Sequence, residues 1–280
     1  MENLTQNQRL DCLIDWLKGE SYHYRNLKVD GDHEKKKATL RALMNIRMPR
    51  NVPMSIMTIQ DEYLQQERQA TGVVGPDAIP SIEETLGSEL PFGSKLALWQ
   101  GDITTLEVDA IVNAANNQLL GCFIPNHHCI DNAIHSGAGM ALRLECANYM
   151  NSRQKIHGDQ YLEPTGQAMI TNGYNLAASY VIHTVGPIVT GKLENSHRIA
   201  LKSCYHNVLE RARENGLRTL ALCCISTGEY HFPNLEAAHI AVATVRDYLE
   251  NHGDCFDLII FNVFKDQDYE CYKNVLSSMK

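Results

Sequence analysis

Four side chains able to bind a borderline-soft metal ion fall within eight positions: Cys122, His127, His128 and Cys129, flanked by Gly121 and Pro125. Zinc takes thiolate and imidazole ligands, and three protein ligands with a fourth position open is the catalytic arrangement. Cys122, His127 and Cys129 form the candidate ligand set; His128 points the other way if the segment is locally extended. The spacing is not the paired C-x-x-C of a structural zinc finger. At this level two readings stand side by side: a three-ligand metal site, and an ordinary loop with incidental cysteines and histidines. A second unusual run is Ser226-Thr227-Gly228-Glu229-Tyr230-His231-Phe232-Pro233, which follows an apolar stretch and precedes a helical pattern opening near Asn234. Small residues let backbone N–H groups approach an anion, and a helix start favours negative charge, so a diphosphate could be held there without lysines. The alternative is a plain turn with Asn234 as helix N-cap. Neither G-x-G-x-x-G nor a Gly-Lys-Ser/Thr phosphate loop is present, so hydride transfer and nucleoside triphosphate hydrolysis find no support. Two more loops follow apolar runs: Gln100-Gly101-Asp102-Ile103-Thr104 and Asn113-Ala114-Ala115-Asn116-Asn117. Asp102 either caps its own turn or meets a ligand, and Asn113 and Asn116 either satisfy loop backbone or do the same.

These loops need elements to hold them. Lys95–Trp99, Ala110–Val112, Gln167–Thr171, Tyr180–Thr184, Thr219–Ile225 and Leu258–Val263 are short runs rich in Ile, Val and Leu, and read as strands. Cys223 and Cys224 fall in one of them. Helical patterns lie between, near Asn132–Tyr149, Ser196–Asn215, Leu235–Asn251 and Gln267–Met279, with Gly216 and Gly253 where helix-ending glycines belong. Strand–helix alternation predicts an α/β domain with a sheet covered on both faces, and in such sheets ligands sit at the carboxyl ends of strands. Residues 1–90 differ in texture. Leu10, Leu13, Ile14 and Leu17 keep the spacing of one helical face, a second helix is expected over Glu34–Met48 and a third over Ser55–Gln69. Lys35–Lys37 reads as a solvated face, and Thr71–Pro91, rich in Gly and Pro, as a linker or wrapping loop. The chain therefore divides into a helical N-terminal extension with its linker, 1–90, and an α/β domain, 91–280. Its net charge of −8 disfavours a broad nucleic-acid surface. No apolar run is long enough for a membrane span, and the opening residues lack the pattern of a secretory signal. Nine cysteines without an export signal predict reduced thiols and a cytoplasmic location.

Three segments, QGDITTLEVDAIVNAANNQLLG, GQAMITNGYNLAASYVIHTVGP and ISTGEYHFP, resemble in order and spacing the macrodomain family of ADP-ribose-binding modules. The resemblance runs from about Ser94 to the C-terminus. Where common hydrolytic macrodomains carry a glycine-rich stretch, this chain has GCFIPNHHCIDNAIH, which resembles the zinc-dependent subgroup, itself bearing a helical N-terminal extension. The resemblance implies a mixed central sheet between helices and strengthens the zinc reading of Cys122, His127 and Cys129. It further implies that Asp102 accepts a hydrogen bond from the adenine amino group, with the Ile103 backbone assisting. Asn116 would hold the distal ribose. Ser226, Thr227, Gly228, Glu229 and Tyr230 would wrap the diphosphate, with Tyr230 on the distal ribose. Cys129, Ile130 and Asp131 would face the reacting end, where Asp131 or Glu229 serves as general base. The activity implied is removal of mono-ADP-ribose from a modified protein, the bond being an ester to Asp or Glu. Two alternatives are a non-catalytic ADP-ribose reader and an O-acetyl-ADP-ribose deacetylase. The family also suggests a lipoyl-carrier protein, modified by a sirtuin-type transferase, as the substrate. His183 and His135 are read as buried packing histidines.

Overall fold

A computed structural model describes residues 4–29, 31–88 and 90–278 of the chain. Its first three helices are α1 (Gln6–Gly19), α2 (His33–Ile46) and α3 (Met54–Thr71). Thr5 and Gln8 close a capping box at the start of α1, and Asp32 caps α2. Helices of this length are marginal alone, so their stability comes from the face they bury. Leu10, Leu13, Ile14 and Leu17 are buried against Leu40, Leu43 and Met44 of α2 and Tyr63 of α3, each worth ~1.5–3 kcal/mol on burial. Met140, from the α/β domain, joins this cluster. The lysine run is only partly a solvated face: Lys36 pairs with Asp11 and Lys37 with Glu67.

The segment expected as a linker holds more structure than its glycines and prolines suggest. Ser81 and Glu84 close a second capping box on a short helix, α4 (Ile82–Leu86), and Ile79, Ile82 and Leu90 enter the main core. A pattern dominated by glycine and proline does not register a helix of five residues.

The six strands among the described residues are β1 (Leu96–Gln100), β2 (Ala110–Ala115), β3 (Ala168–Asn172), β4 (Tyr180–Val185), β5 (Thr219–Leu222) and β6 (Leu258–Val263). They form one sheet in the order β1-β6-β5-β2-β4-β3. Only β3 runs antiparallel to its neighbour, so the sheet is mixed. The covering helices are α5 (Ile130–Ala138), α6 (Met140–His157), α7 (Asn195–Glu214), α8 (Asn234–His252) and α9 (Asp266–Ser278). The last residue expected in the final helix, Met279, lies outside the described residues.

Four local readings need correction. The single helix expected over Asn132–Tyr149 is two, broken at Gly139 with φ 92°, where a Cβ would meet the Gln60 side chain at 2.6 Å. A periodic apolar pattern does not register one left-handed residue. The strand expected to reach Ile225 ends at Leu222, leaving Cys223 and Cys224 in the stretch between it and the turn that opens at Ile225. Helix α8 begins at Asn234 itself, with Pro233 in the cap position, and Asn234 instead donates to Asp268 of α9. Gly253 ends α8 in a right-handed conformation, φ −59°; a Cβ there would meet the Phe92 ring at 2.8 Å, so close packing explains the residue.

Candidate active site and metal centre

Strand β2 lies between β4 and β5, and the loop at its carboxyl end is shaped by its own side chains. Asn116 accepts a hydrogen bond from the Gln118 backbone N–H at 3.0 Å and donates to the Gly121 carbonyl at 3.2 Å. Gly121, at φ 78°, passes so close to His135 that a Cβ would meet the ring at 2.8 Å. Asn126 takes a left-handed conformation at φ 54°, turning the chain so that the His127 N–H donates to the Ile124 carbonyl. The turn brings one ligand atom each of Cys122, His127 and Cys129 within 4.8 Å of one another. Cys122 Sγ lies 3.7 Å from His127 Nδ1. In a tetrahedral zinc site with Zn–S ~2.3 Å and Zn–N ~2.0 Å, neighbouring ligand atoms sit ~3.5–3.8 Å apart, so this donor set fits the ion. His128 is exposed and stands outside the cluster. Cys129 caps α5, and its Sγ accepts from the Asn132 N–H at 3.4 Å. Burial pushes its thiol up to about 12, so a cation is needed to keep it as thiolate near neutrality. His127 Nε2 faces Glu229 Oε1 at 3.6 Å, a carboxylate placed to orient the ring.

Two residues past Cys129, Asp131 sits in the first turn of α5 with 5% of its surface exposed. Asn113 Nδ2 donates to its Oδ1 at 2.8 Å and Asn116 Nδ2 approaches Oδ2 at 3.5 Å. Burial pushes the carboxyl up to about 6, with the Asn113 bond and the Arg143 charge opposing the rise. Ile130, partly buried, packs on the main core beside it. Asn113 Nδ2 also lies 3.0 Å from His183 Nδ1, which makes that nitrogen the acceptor and leaves Nε2 to face Thr171 Oγ1 at 2.9 Å. Burial lowers His183 to about 3 and holds His135 well below the ordinary histidine range. Both are interior histidines, as their sequence context implies. His135, Cys146 and His183 form a second cluster with ligand atoms within 4.8 Å, but Asn113 and Thr171 already occupy both ring nitrogens of His183.

Along the crest of the sheet, Asp102 is exposed and caps its own turn, accepting from the Thr104 N–H at 2.9 Å and hydroxyl at 2.8 Å through Oδ1. That leaves Oδ2 for a further donor. Ile103 is buried beneath it. In the other crest loop Ser226 is left-handed at φ 67° and buried, and the Phe232 N–H closes back onto its carbonyl at 2.9 Å. Among the described residues the N–H groups of Thr227, Gly228, Glu229 and Tyr230 have no protein acceptor, the signature of an anion-receptive turn. Tyr230 is half-buried, its carbonyl accepts from the Val189 N–H at 2.9 Å, and burial, followed by the Asp131 charge, raises its phenol. The structure thus brings Asn116 to Asp131, and Glu229 to the Cys122, His127 and Cys129 cluster. Sequence reasoning missed Asn132, a fully buried hub that donates to the Ile124 carbonyl at 3.0 Å, and nothing in its local pattern marks it.

The Macro domain family profile matches residues 112–241. A protein-ADP-ribose hydrolase of Treponema medium is 40% identical over 274 residues, covering 98% of this chain and 100% of the relative. This chain belongs to the macrodomain family. A second protein-ADP-ribose hydrolase, from Staphylococcus aureus (strain COL), is 37% identical over 279 residues and matches this macrodomain across 99% of its length and 98% of its own. Among solved structures, the Trypanosoma brucei macrodomain in complex with ADP-ribose superposes with a TM-score of 0.63 at 28% identity, covering 88% of this chain and 96% of that one. The macrodomain sheet and its covering helices match the expected architecture. The match to both bacterial relatives, nearly end to end, takes in residues 1–90 as well.

Proposed function

We propose that this protein removes mono-ADP-ribose from modified proteins, hydrolysing the bond between the distal ribose and an Asp or Glu ester and releasing free ADP-ribose. The observation that carries the reading is Asp131, buried and hydrogen-bonded to Asn113, two residues after the Cys122–His127–Cys129 cluster. The names of the two bacterial relatives support the same activity. Asp102 and Ile103 hold the adenine end, the free N–H groups of Thr227 to Tyr230 receive the diphosphate, and Asn116 and Tyr230 position the distal ribose. A zinc ion on Cys122, His127 and Cys129 would polarise a ribose hydroxyl or the ester oxygen. Hydrolysis joins a water oxygen to the anomeric carbon and frees the protein carboxylate, and the water's proton goes to a base. Asp131, with an affinity for protons near about 6, suits that role better than the exposed Glu229, which orients His127. The family resemblance supports a lipoyl-carrier protein as the modified substrate, and nine free thiols support a reducing, cytoplasmic setting.

A pure ADP-ribose reader would have no use for the ligand cluster. The deciding assay incubates the zinc-loaded chain with an ADP-ribosylated protein and, separately, with O-acetyl-ADP-ribose, and follows free ADP-ribose. Release from the protein is expected; binding without release from either substrate means a reader. Chelated, folded protein should still bind ADP-ribose within about tenfold, ~1.4 kcal/mol, while turnover is lost, because contacts made mainly in the transition state appear in rate.

A further inference from the structure

The loop that carries the three ligands is held from outside the α/β domain. Helix α2 lies against α5, and two of its side chains reach the loop directly. Arg41 donates from Nε and Nη2 to Asn132 Oδ1 at 3.1 and 2.8 Å, and from Nη2 to the His127 carbonyl at 3.2 Å. Asn132 is the residue whose N–H meets Cys129 Sγ and whose Nδ2 holds the Ile124 carbonyl, so Arg41 fixes the hub between two ligands and the turn. Asn45, 1% exposed, accepts from the Asn126 N–H at 2.9 Å and donates to Ser136 Oγ on α5 at 3.0 Å. Asn126 is the left-handed residue at the apex of the loop. The same end of α2 is bolted to α6: Arg143 Nη1 donates to the carbonyls of Met44, Asn45 and Arg47 at 3.0, 2.7 and 2.6 Å. Its guanidinium lies over the Phe123 ring at 4.3 Å, next in sequence to Cys122. A cation at the carbonyl end of a helix is favoured by the helix dipole, which makes this a rigid seat.

We infer that α2 is a structural part of the metal centre, with Arg41 and Asn45 as positioning residues that hold the 122–129 loop in its ligating shape. The inference rests on the reading that Cys122, His127 and Cys129 bind zinc. A short, glycine-entered loop without such a frame would have to be ordered by the ion itself, at the expense of affinity. Partners that orient metal ligands typically change metal affinity by 10–100-fold when removed. The contacts are backbone and side-chain hydrogen bonds to loop atoms other than the ligating ones, so their loss should leave the ligand set intact and loosen its geometry.

The test uses the full chain, loaded with zinc or with cobalt(II), whose thiolate charge-transfer bands report the ligand set. Zinc release to a chromogenic chelator is timed in wild type, Arg41→Ala, Arg41→Lys, Asn45→Ala and Lys37→Ala. Hydrogen exchange of amides 122–131 is followed in the metal-free proteins. Release about tenfold or more faster in Arg41→Ala and Asn45→Ala is expected, with faster exchange in the loop and cobalt spectra that keep both thiolates. Arg41→Lys, which keeps the charge and a single donor group, should fall between, and carries the test if Arg41→Ala does not fold. Lys37→Ala breaks the Glu67 pair inside the extension without touching the loop and should behave as wild type. Wild-type release and exchange in the Arg41 and Asn45 variants, or equal acceleration in Lys37→Ala, overturns the inference. A wild-type chain that binds no zinc ends the zinc reading instead, and the exchange data then judge the clamp on their own.

Discussion

Asp131 combines burial with proximity to the ligand loop, and its protonation should govern the chemistry. With its carboxyl raised to about 6, turnover by the loaded protein should climb with pH through that value as the base form fills. The rise should be absent in Asp131→Asn, whose kcat should fall by roughly 10²-fold or more; a pH–rate profile of both proteins is the check. Asp102 follows β1, and its hydrogen bonds are with Thr104 and Thr105. Asp102→Ala should weaken ADP-ribose binding by ~1–3 kcal/mol in calorimetry and leave zinc content unchanged. Unchanged affinity would return Asp102 to capping its own turn, which it does through Oδ1 in any case. Cys122→Ala/Cys129→Ala should purify without zinc by elemental analysis, and a full complement in that variant would overturn the ligand assignment.

At the scale of elements, the 226–230 turn packs against a position with no room for a side chain. Gly186, just past β4, lies where a Cβ would stand 2.1 Å from Ser226 Oγ and 2.8 Å from Ile225 Cγ2. The Ser226 hydroxyl can rotate away, but Ile225 is fully buried and yields only if the 226–230 turn shifts with it. Gly186→Ala should therefore cut ADP-ribose affinity by about tenfold or more and lower stability by ~1–3 kcal/mol. Gly228→Ala meets open space and needs no left-handed backbone, so its melting temperature should match wild type. Calorimetry and thermal melts of the two variants decide the matter. The α5–α6 break at Gly139 works in the same way: the Met140 N–H freed by the turn is taken by Gln60 Oε1 of α3 at 2.8 Å. That bond joins the extension to the α/β domain at a point the sequence pattern reads as continuous helix.

For the whole molecule, stability should depend on pH through its interior histidines. His183, lowered to about 3, and His135, lowered also, are neutral in the folded protein and protonate in the unfolded chain near 6.5. For His183 the unfolded state binds more protons between about 3 and 6.5, and His135 adds a difference of the same sign, so their contribution is full above 6.5 and is lost as pH falls. Asp131 has the opposite sign: its raised carboxyl favours the folded state at low pH, and that contribution disappears as pH rises through about 6. Two histidines outweigh one carboxyl, so the melting temperature should drop between pH 7 and pH 5. The slope should be shallower in His183→Gln, as scanning calorimetry across that range would show; an equal slope means that other groups set it.

The sequence by itself determined the elements and the composition of the site. Apolar spacing marked α1 through Leu10, Leu13, Ile14 and Leu17, and short Ile/Val/Leu runs marked every strand, because both signals arise from residues a few positions apart. The clustering of Cys122, His127 and Cys129 is legible for the same reason: all three side chains belong to one short loop. What only the tertiary structure decided lies across long separations. Arg41 meets Asn132 across 91 positions, Gln60 meets Met140 across 80, and Asn113 meets His183 across 70. Such pairings follow from how helices and sheet pack together, and no local pattern encodes them. The same holds for the raised carboxyl of Asp131, since burial is a property of the assembled core rather than of a residue and its neighbours in the chain.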